Sequence, residues 1–199
     1  MKAGGGKRKG GKYERDCAKD LSIWFTNGMR EDVFYRTASS GGRATVRSKK
    51  QKTTFGQNGD IQSVDPIGEC LTNLCSIECK DGYPGQSSLD LVDKPGKNKC
   101  KYGEFFEQCA REAKEAKLPY WLLMSRRKGK RKMIYIPYAL YKKLNDTGST
   151  LSLNGLPCVV LTFVTEKQKI QKVYGIPQEV FFLHVRPNCF LRLYEDTYG

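Results

Sequence analysis

The chain has 199 residues, with 35 Lys and Arg against 21 Asp and Glu, a formal charge of +14. No apolar run approaches the ~18 residues of a membrane span. The Gly- and Lys-rich start, Met1 to Lys12, has no apolar segment behind it and does not read as a secretory signal. Both observations speak against membrane partners. A protein this basic is expected to meet a polyanion. The charge is also uneven: residues 1–52 hold 14 Lys and Arg against 5 Asp and Glu, and a second cluster runs from Arg126 to Lys132. The eight Cys could form bridges, but a chain this long folds without them, so a reducing cytosol is expected.

In chain order, residues 1–12 read as a disordered basic arm. Tyr13 to Asn27 reads as a helix, with Glu14, Ala18, Leu21 and Phe25 on one face and Asn27-Gly28 as its stop. Val33 to Arg36 reads as a short strand. Thr37 to Asn58 is rich in Ser, Gly, Lys and Arg and reads as a mobile basic loop. Strands follow at Gly59 to Val64 and Leu74 to Lys80, separated by a turn at Asp65-Pro66. Tyr102 to Lys117 reads as a helix ended by Pro119, and Tyr120 to Ser125 as a strand. The second basic cluster reads as a hairpin tip leading into a strand, Met133 to Ile136, and Pro137 opens a short helix through Leu144. This order predicts an α/β domain. From Asn145 onward only strands are expected, at Val159 to Val164, Val180 to Val185 and Phe190 to Tyr194, as a β extension.

The segment that carries chemistry is Cys75-Ser76-Ile77-Glu78-Cys79-Lys80. Strand alternation sends Cys75, Ile77 and Cys79 to a core and Ser76, Glu78 and Lys80 to the other face. An acid and a lysine presented together suit phosphodiester hydrolysis. Carboxylates hold a hard divalent cation, the cation neutralises phosphate charge, and a lysine can position water. A second carboxylate is expected, and Asp60 at the head of the preceding strand supplies it. Taken alone, Glu78 and Lys80 also fit an exposed ion pair worth under ~1 kcal/mol.

The combined order of motifs resembles the PD-(D/E)xK nuclease superfamily, and within it the archaeal-type and phage Holliday-junction resolvases. The residues are Lys12-Tyr13-Glu14-Arg15 at a helix start, Arg36-Thr37-Ala38-Ser39-Ser40-Gly41, Gly59-Asp60-Ile61, Ile77-Glu78-Cys79-Lys80, and Phe106-Glu107-Gln108 on the next helix. The resemblance covers about residues 7–140. It implies a restriction-endonuclease-like core over 13–144, a mixed sheet flanked by helices, with residues 145–199 as a C-terminal β extension of the same domain. It implies Asp60, Glu78 and the Cys79 carbonyl as metal ligands, with Glu14 for a second metal or through water. Lys80 would position the nucleophilic water, Gln108 would support the site and Ser40 would contact the scissile phosphate. Lys12, Arg15, Arg36, Arg43, Arg126 and Arg127 are expected against DNA. The cofactor implied is Mg²⁺, with Mn²⁺ able to substitute. The substrate implied is branched DNA, cut by a homodimer in a cytoplasm, the host's if the source is a phage. Residues 145–199 are the candidate dimer surface because they lie outside the resemblance.

Two departures stand out. The proline that usually precedes the aspartate is Gly59 here, and the long gap between Asp60 and Glu78 makes Asp65 a competing ligand. Asp60 is preferred because Asp65 precedes Pro66 in a turn. A zinc site among Cys70, Cys75, Cys79 and Cys100 is the chemical rival. It is disfavoured because Cys75 and Cys79 on one strand would lie roughly 13 Å apart, too far for two thiolates on one ion. His184, in an apolar run, reads as structural. The rival functions are a non-catalytic basic DNA-binding protein and a recombination or restriction exonuclease of the same superfamily.

Overall fold

The computed structural model describes residues 5–37, 59–93, 100–151, 155–164 and 170–199. Ser40 and Arg43, expected at the phosphate backbone, lie outside these residues, as does nearly all of the expected basic loop.

Helix α1 (Gly5–Phe25) carries Tyr13, Cys17, Leu21 and Phe25 at helical spacing, and all four are buried. It closes where the sequence expects. Gly28, at φ +90, donates from its N–H to the Ile23 carbonyl at 2.7 Å, a six-to-one cap that a side chain would strain. Its start differs from expectation: the arm over 1–12 is helical from Gly5 onward. Glycine is a poor helix former, but buried Gly11 packs against the Arg36 guanidinium, which a Cβ there would meet at 3.2 Å.

Strands β1 (Phe34–Arg36) and β2 (Ile61–Ser63) form an antiparallel pair. A 3-10 turn (Pro66–Gly68) and α2 (Glu69–Leu74) lead into β3 (Cys75–Asp81). The short α3 (Asp90–Asp93) and α4 (Lys101–Glu115) then cross over to β4 (Tyr120–Arg126), as a parallel partner requires. The basic hairpin joins β4 to β5 (Met133–Pro137), followed by α5 (Tyr138–Asp146), β6 (Val159–Val164), β7 (Ile170–Pro177), α6 (Gln178–His184) and α7 (Pro187–Tyr198). The sheet order is β3-β4-β5-β7-β6, parallel at β3-β4 and antiparallel elsewhere.

This is the expected mixed sheet with helices on both faces. Cys75, Ile77, Leu122, Met124, Ile134 and Ile136 pack with α1, α2, α6 and α7 on one face. Trp121, Leu123 and Tyr135 pack on the other with Phe105, Phe106 and Cys109 of α4. The C-terminal region departs from expectation. β6 and β7 extend the main sheet, whereas Val180 to Val185 and Phe190 to Tyr194 lie in helices rather than strands. Pro177 caps the first and Pro187 starts the second, and Phe181, Phe190 and Leu193 are buried. Among the described residues no helix is long and apolar enough to cross a membrane.

Candidate active site

Alternation along β3 holds. Cys75, Ile77 and Cys79 enter the core against α1, while Glu78 and Lys80 face α4, where the Lys80 ammonium lies 5.7 Å from the Phe105 ring centre. Burial separates the site from an ordinary surface pair. The Glu78 side chain is 5% exposed and that of Lys80 16%, and Lys80 Nζ donates to Glu78 Oε2 at 3.0 Å. Losing one partner of such a buried pair costs roughly 3–5 kcal/mol.

Asp60 reaches the same place from the edge of the sheet. Gly59 bridges Ile77 in parallel, with φ +76, and a Cβ there would lie 2.5 Å from the Ile77 carbonyl oxygen. Glycine is therefore the residue that lets this backbone press against β3. Asp60 donates from its N–H to the Ile77 carbonyl at 2.7 Å, and its Oδ2 accepts from the Cys79 N–H at 2.9 Å. Burial pushes the Asp60 carboxyl up to about 6, against the lowering effect of the Cys79 N–H and Lys80, with Glu14 and Glu112 adding to the rise. Asp65 sits in a different setting. Its carboxylate caps the 3-10 turn at the Ile67 N–H, 3.0 Å, and pairs with Arg30 at 2.7 Å, and these contacts hold it below the usual carboxylate range.

Burial also raises Glu78 well above the ordinary carboxyl range, the Asp60 charge and neighbouring Glu112 raise it further, and Lys80 opposes them. Burial opposes the Lys80 charge, but Glu78 and Asp60 outweigh it and hold the ammonium protonated. Glu112 was not anticipated. It lies one turn beyond Gln108 on α4, and Gln108 Nε2 donates to its Oε1 at 2.8 Å. The i, i+4 spacing from Gln108 was the available signal. Gln108 thus bears on the site through Glu112. Glu14 is joined to Arg36 Nε by a short hydrogen bond, and its side chain is 12% exposed.

The expected DNA contacts divide. Lys12 and Arg15 are exposed on α1. Arg127 donates to the Gln86 carbonyl at 3.0 Å at the base of the hairpin, whose tip residues Lys128, Lys130 and Arg131 are exposed. Arg126 turns inward. It makes two 3.0 Å hydrogen bonds to the Asp81 carboxylate, reaches Asp16 at 3.4 Å and stacks 4.4 Å from the Tyr13 ring. Its guanidinium is thus paired within the fold while its side chain stays 31% exposed. His184 is bonded to Thr150 Oγ1 through Nδ1 at 3.1 Å, in keeping with a structural role.

Among the described residues no three of His, Cys, Asp and Glu form a ready metal cage. The donor set nevertheless fits a hard divalent cation. Asp60, Glu78 and Glu112 are crowded, and burial and their mutual repulsion disfavour their ionised forms, a penalty that a bound cation relieves.

A family model described as "Phage putative PDDEXK endonuclease" matches residues 5–173. Comparison with curated proteins gives no match, and neither does comparison with solved structures.

Proposed function

The chain belongs to the phage PDDEXK endonuclease family, and on that premise we propose that it is a Mg²⁺-dependent endonuclease for branched DNA, centred on Asp60, Glu78 and Lys80. The observation that carries the reading is the gathering of Asp60, buried Glu78 and half-buried Lys80 around one stretch of β3, in a chain of formal charge +14. A pure DNA binder gains nothing from three carboxyls near phosphate, which weaken binding unless a cation bridges them.

Asp60, Glu78 and the Cys79 carbonyl would hold the cation, with Glu14 close enough to add charge. When bound there, such an ion would neutralise phosphate charge and lower the pKa of a water it holds. Mn²⁺ is expected to substitute, since it favours the same oxygen ligands. Asp60 is aimed by the Cys79 N–H, so its free oxygen and lone pairs are the ones left for a ligand. Lys80 remains protonated beside Glu78, so it acts as a positioned cation for the attacking water and the phosphate rather than as a base. Gln108 and Glu112 support Glu78 from α4. Lys12, Arg15, Arg36 and Arg127, together with Ser40 and Arg43, would contact the DNA backbone, which orients a duplex without reading its sequence.

The branched substrate and a working homodimer follow from the resemblance to junction resolvases, which cut two strands symmetrically. The basic hairpin and the basic segment over residues 1–52 supply cations for phosphate contacts. Cleavage of a four-way junction, a flap, a linear duplex and single strands with Mg²⁺ tests this. Preferred paired nicks in the junction are expected. Degradation from duplex ends would instead assign an exonuclease.

A further inference from the structure

Thr147 to Thr165 is a run of 19 residues with no Asp, Glu, Lys, Arg or His, in a chain that is 28% charged. The run includes all of β6, which is the last strand of the sheet and pairs, among the described residues, only with β7. Leu161 is buried toward the α4 side, with Val159 and Phe163 packed beside it. Val160, Thr162 and Val164 alternate to the other face, where Val160 is 41% exposed and Val164 65%. The β7 cation on this same face leans toward α5. Lys172, registered opposite Thr162, holds its ammonium 4.7 Å from the Tyr138 ring centre and 5.6 Å from that of Tyr174.

An apolar edge strand offers a row of unpaired N–H and C=O groups. Sheet proteins usually guard such an edge with Lys, Pro or a bulge, and β6 has no Lys or Pro. Two molecules of charge +14 repel, and they approach at least cost where both are uncharged. Antiparallel pairing of one strand with its own copy is self-complementary about a two-fold axis, so one neutral segment supplies both halves of the contact.

We propose that the outer edge of β6 pairs antiparallel with β6 of a second copy of this chain, joining two five-stranded sheets into one. The inference rests on the two-copy assembly in the reading above and names its surface. The two β3 strands then lie at opposite outer edges, nine strand spacings or roughly 43 Å apart. Each centre therefore acts on its own segment of DNA. A pair of six-residue edges buries less than the ~1,600 Å² of a standard interface, so association in the micromolar range is expected.

Sedimentation equilibrium of the full chain tests this. The wild type should approach twice the 22.6 kDa chain mass as concentration rises through the micromolar range. Val160→Lys and Val164→Lys each place a charge on the neutral edge of both copies and should weaken association on the order of tenfold or more. Both sites are exposed enough to fold with lysine, and an unchanged unfolding temperature at low concentration checks this. Leu183→Lys, 75% exposed on α6, should leave association intact. Backbone amides of β6 should gain hydrogen-exchange protection as concentration rises. A wild type that keeps the single-chain mass overturns the proposal, as do two lysine variants that associate like the wild type. The nuclease reading is judged separately by Glu78→Ala, which should abolish cleavage while leaving the mass unchanged.

Discussion

The main-chain N–H of Cys79 donates to Oδ2 of Asp60 at 2.9 Å, and the N–H of Asp60 donates to the carbonyl of Ile77 at 2.7 Å. The two bonds fasten the aspartate to the strand that carries Glu78, so the acids keep a fixed relation even though 17 residues separate them in the chain. Asp60→Asn should keep the fold and lose cleavage by roughly 10³-fold, since a lost cation ligand forfeits several kcal/mol of charge stabilisation. Asp65→Asn is the control. Its carboxylate caps a turn, which an asparagine can still do, and pairs with partly exposed Arg30, so cleavage should persist while stability falls by under about 1 kcal/mol. Single-turnover cleavage and thermal unfolding of both variants check the pair, and loss of activity only in the Asp65 variant would reverse the assignment.

Glu112 is expected to trade stability for function. It raises the pKa of Glu78 and adds repulsion to Asp60. Glu112→Gln removes one acid from the cluster while keeping an amide able to bond Gln108 and Glu78. Without divalent cations the variant should unfold at a temperature a few degrees higher, about 1 kcal/mol by the usual scaling for this size. It should also need more Mg²⁺ for half-maximal cleavage. A variant with unchanged metal requirement would show that Glu112 does not act on the cation.

How far the sequence discloses this site depends on whether the contact is local. Strand alternation alone puts Glu78 and Lys80 on one face, and Pro66 alone marks Asp65 as a turn residue. The approach of Asp60 to β3 is not local, but Gly59 signals it, because a close backbone contact at positive φ excludes a side chain. Glu112 was missed although its i, i+4 spacing puts it on the face of α4 that carries Gln108, because that spacing alone does not show that an acid reaches across to Glu78. The C-terminal strands were misread for a related reason. Short apolar runs such as Val180 to Val185 fit a strand or a helix equally until their prolines and packing decide. Strand β7 was overlooked because Gly175 weakens its strand pattern, yet that glycine is required there: a Cβ would lie 2.4 Å from the Tyr135 ring.

The carboxyl cluster also sets a pH dependence. Asp60 has a folded pKa of about 6 against an ordinary 3.8, so the folded chain holds this proton more tightly than the unfolded one. Its contribution to stability is present in full below about 4 and is lost as pH rises through about 6. Glu78 shifts in the same direction. Metal-free protein should therefore unfold at a lower temperature at pH 7 than at pH 5. Mg²⁺ binds the ionised carboxylates, so it should restore stability mainly at the higher pH. At one hundred times its dissociation constant the gain is about 2.7 kcal/mol, or roughly 5–10 °C for a chain of this size. Calorimetric scans at both pH values, with Mg²⁺ and with chelator, check this. A shift of equal size at pH 5 and pH 7 would contradict it.

Arginines 126 and 127 are adjacent in sequence but should behave differently. Arg126 is held by Asp81, stacks on Tyr13 and thereby ties α1 to the ends of β3 and β4. Arg126→Ala leaves the half-buried Asp81 without its bidentate partner and uncovers the Tyr13 ring, so it should cost roughly 1–3 kcal/mol of stability. Its effect on DNA binding should follow the loss of folded protein, with the salt dependence of the remaining binding unchanged. Arg127, at the root of the exposed basic hairpin, bonds only a main-chain carbonyl among its described hydrogen bonds. Arg127→Ala should leave the unfolding temperature within about 2 °C. It should weaken binding to all DNA sequences alike and lower the slope of log affinity against log salt by about one, as expected for one lost phosphate contact. Binding titrations at several salt concentrations with an inactive Glu78→Ala background separate the two residues. If Arg126→Ala lowers the salt slope without lowering stability, the arginine faces DNA despite its bonds to Asp81.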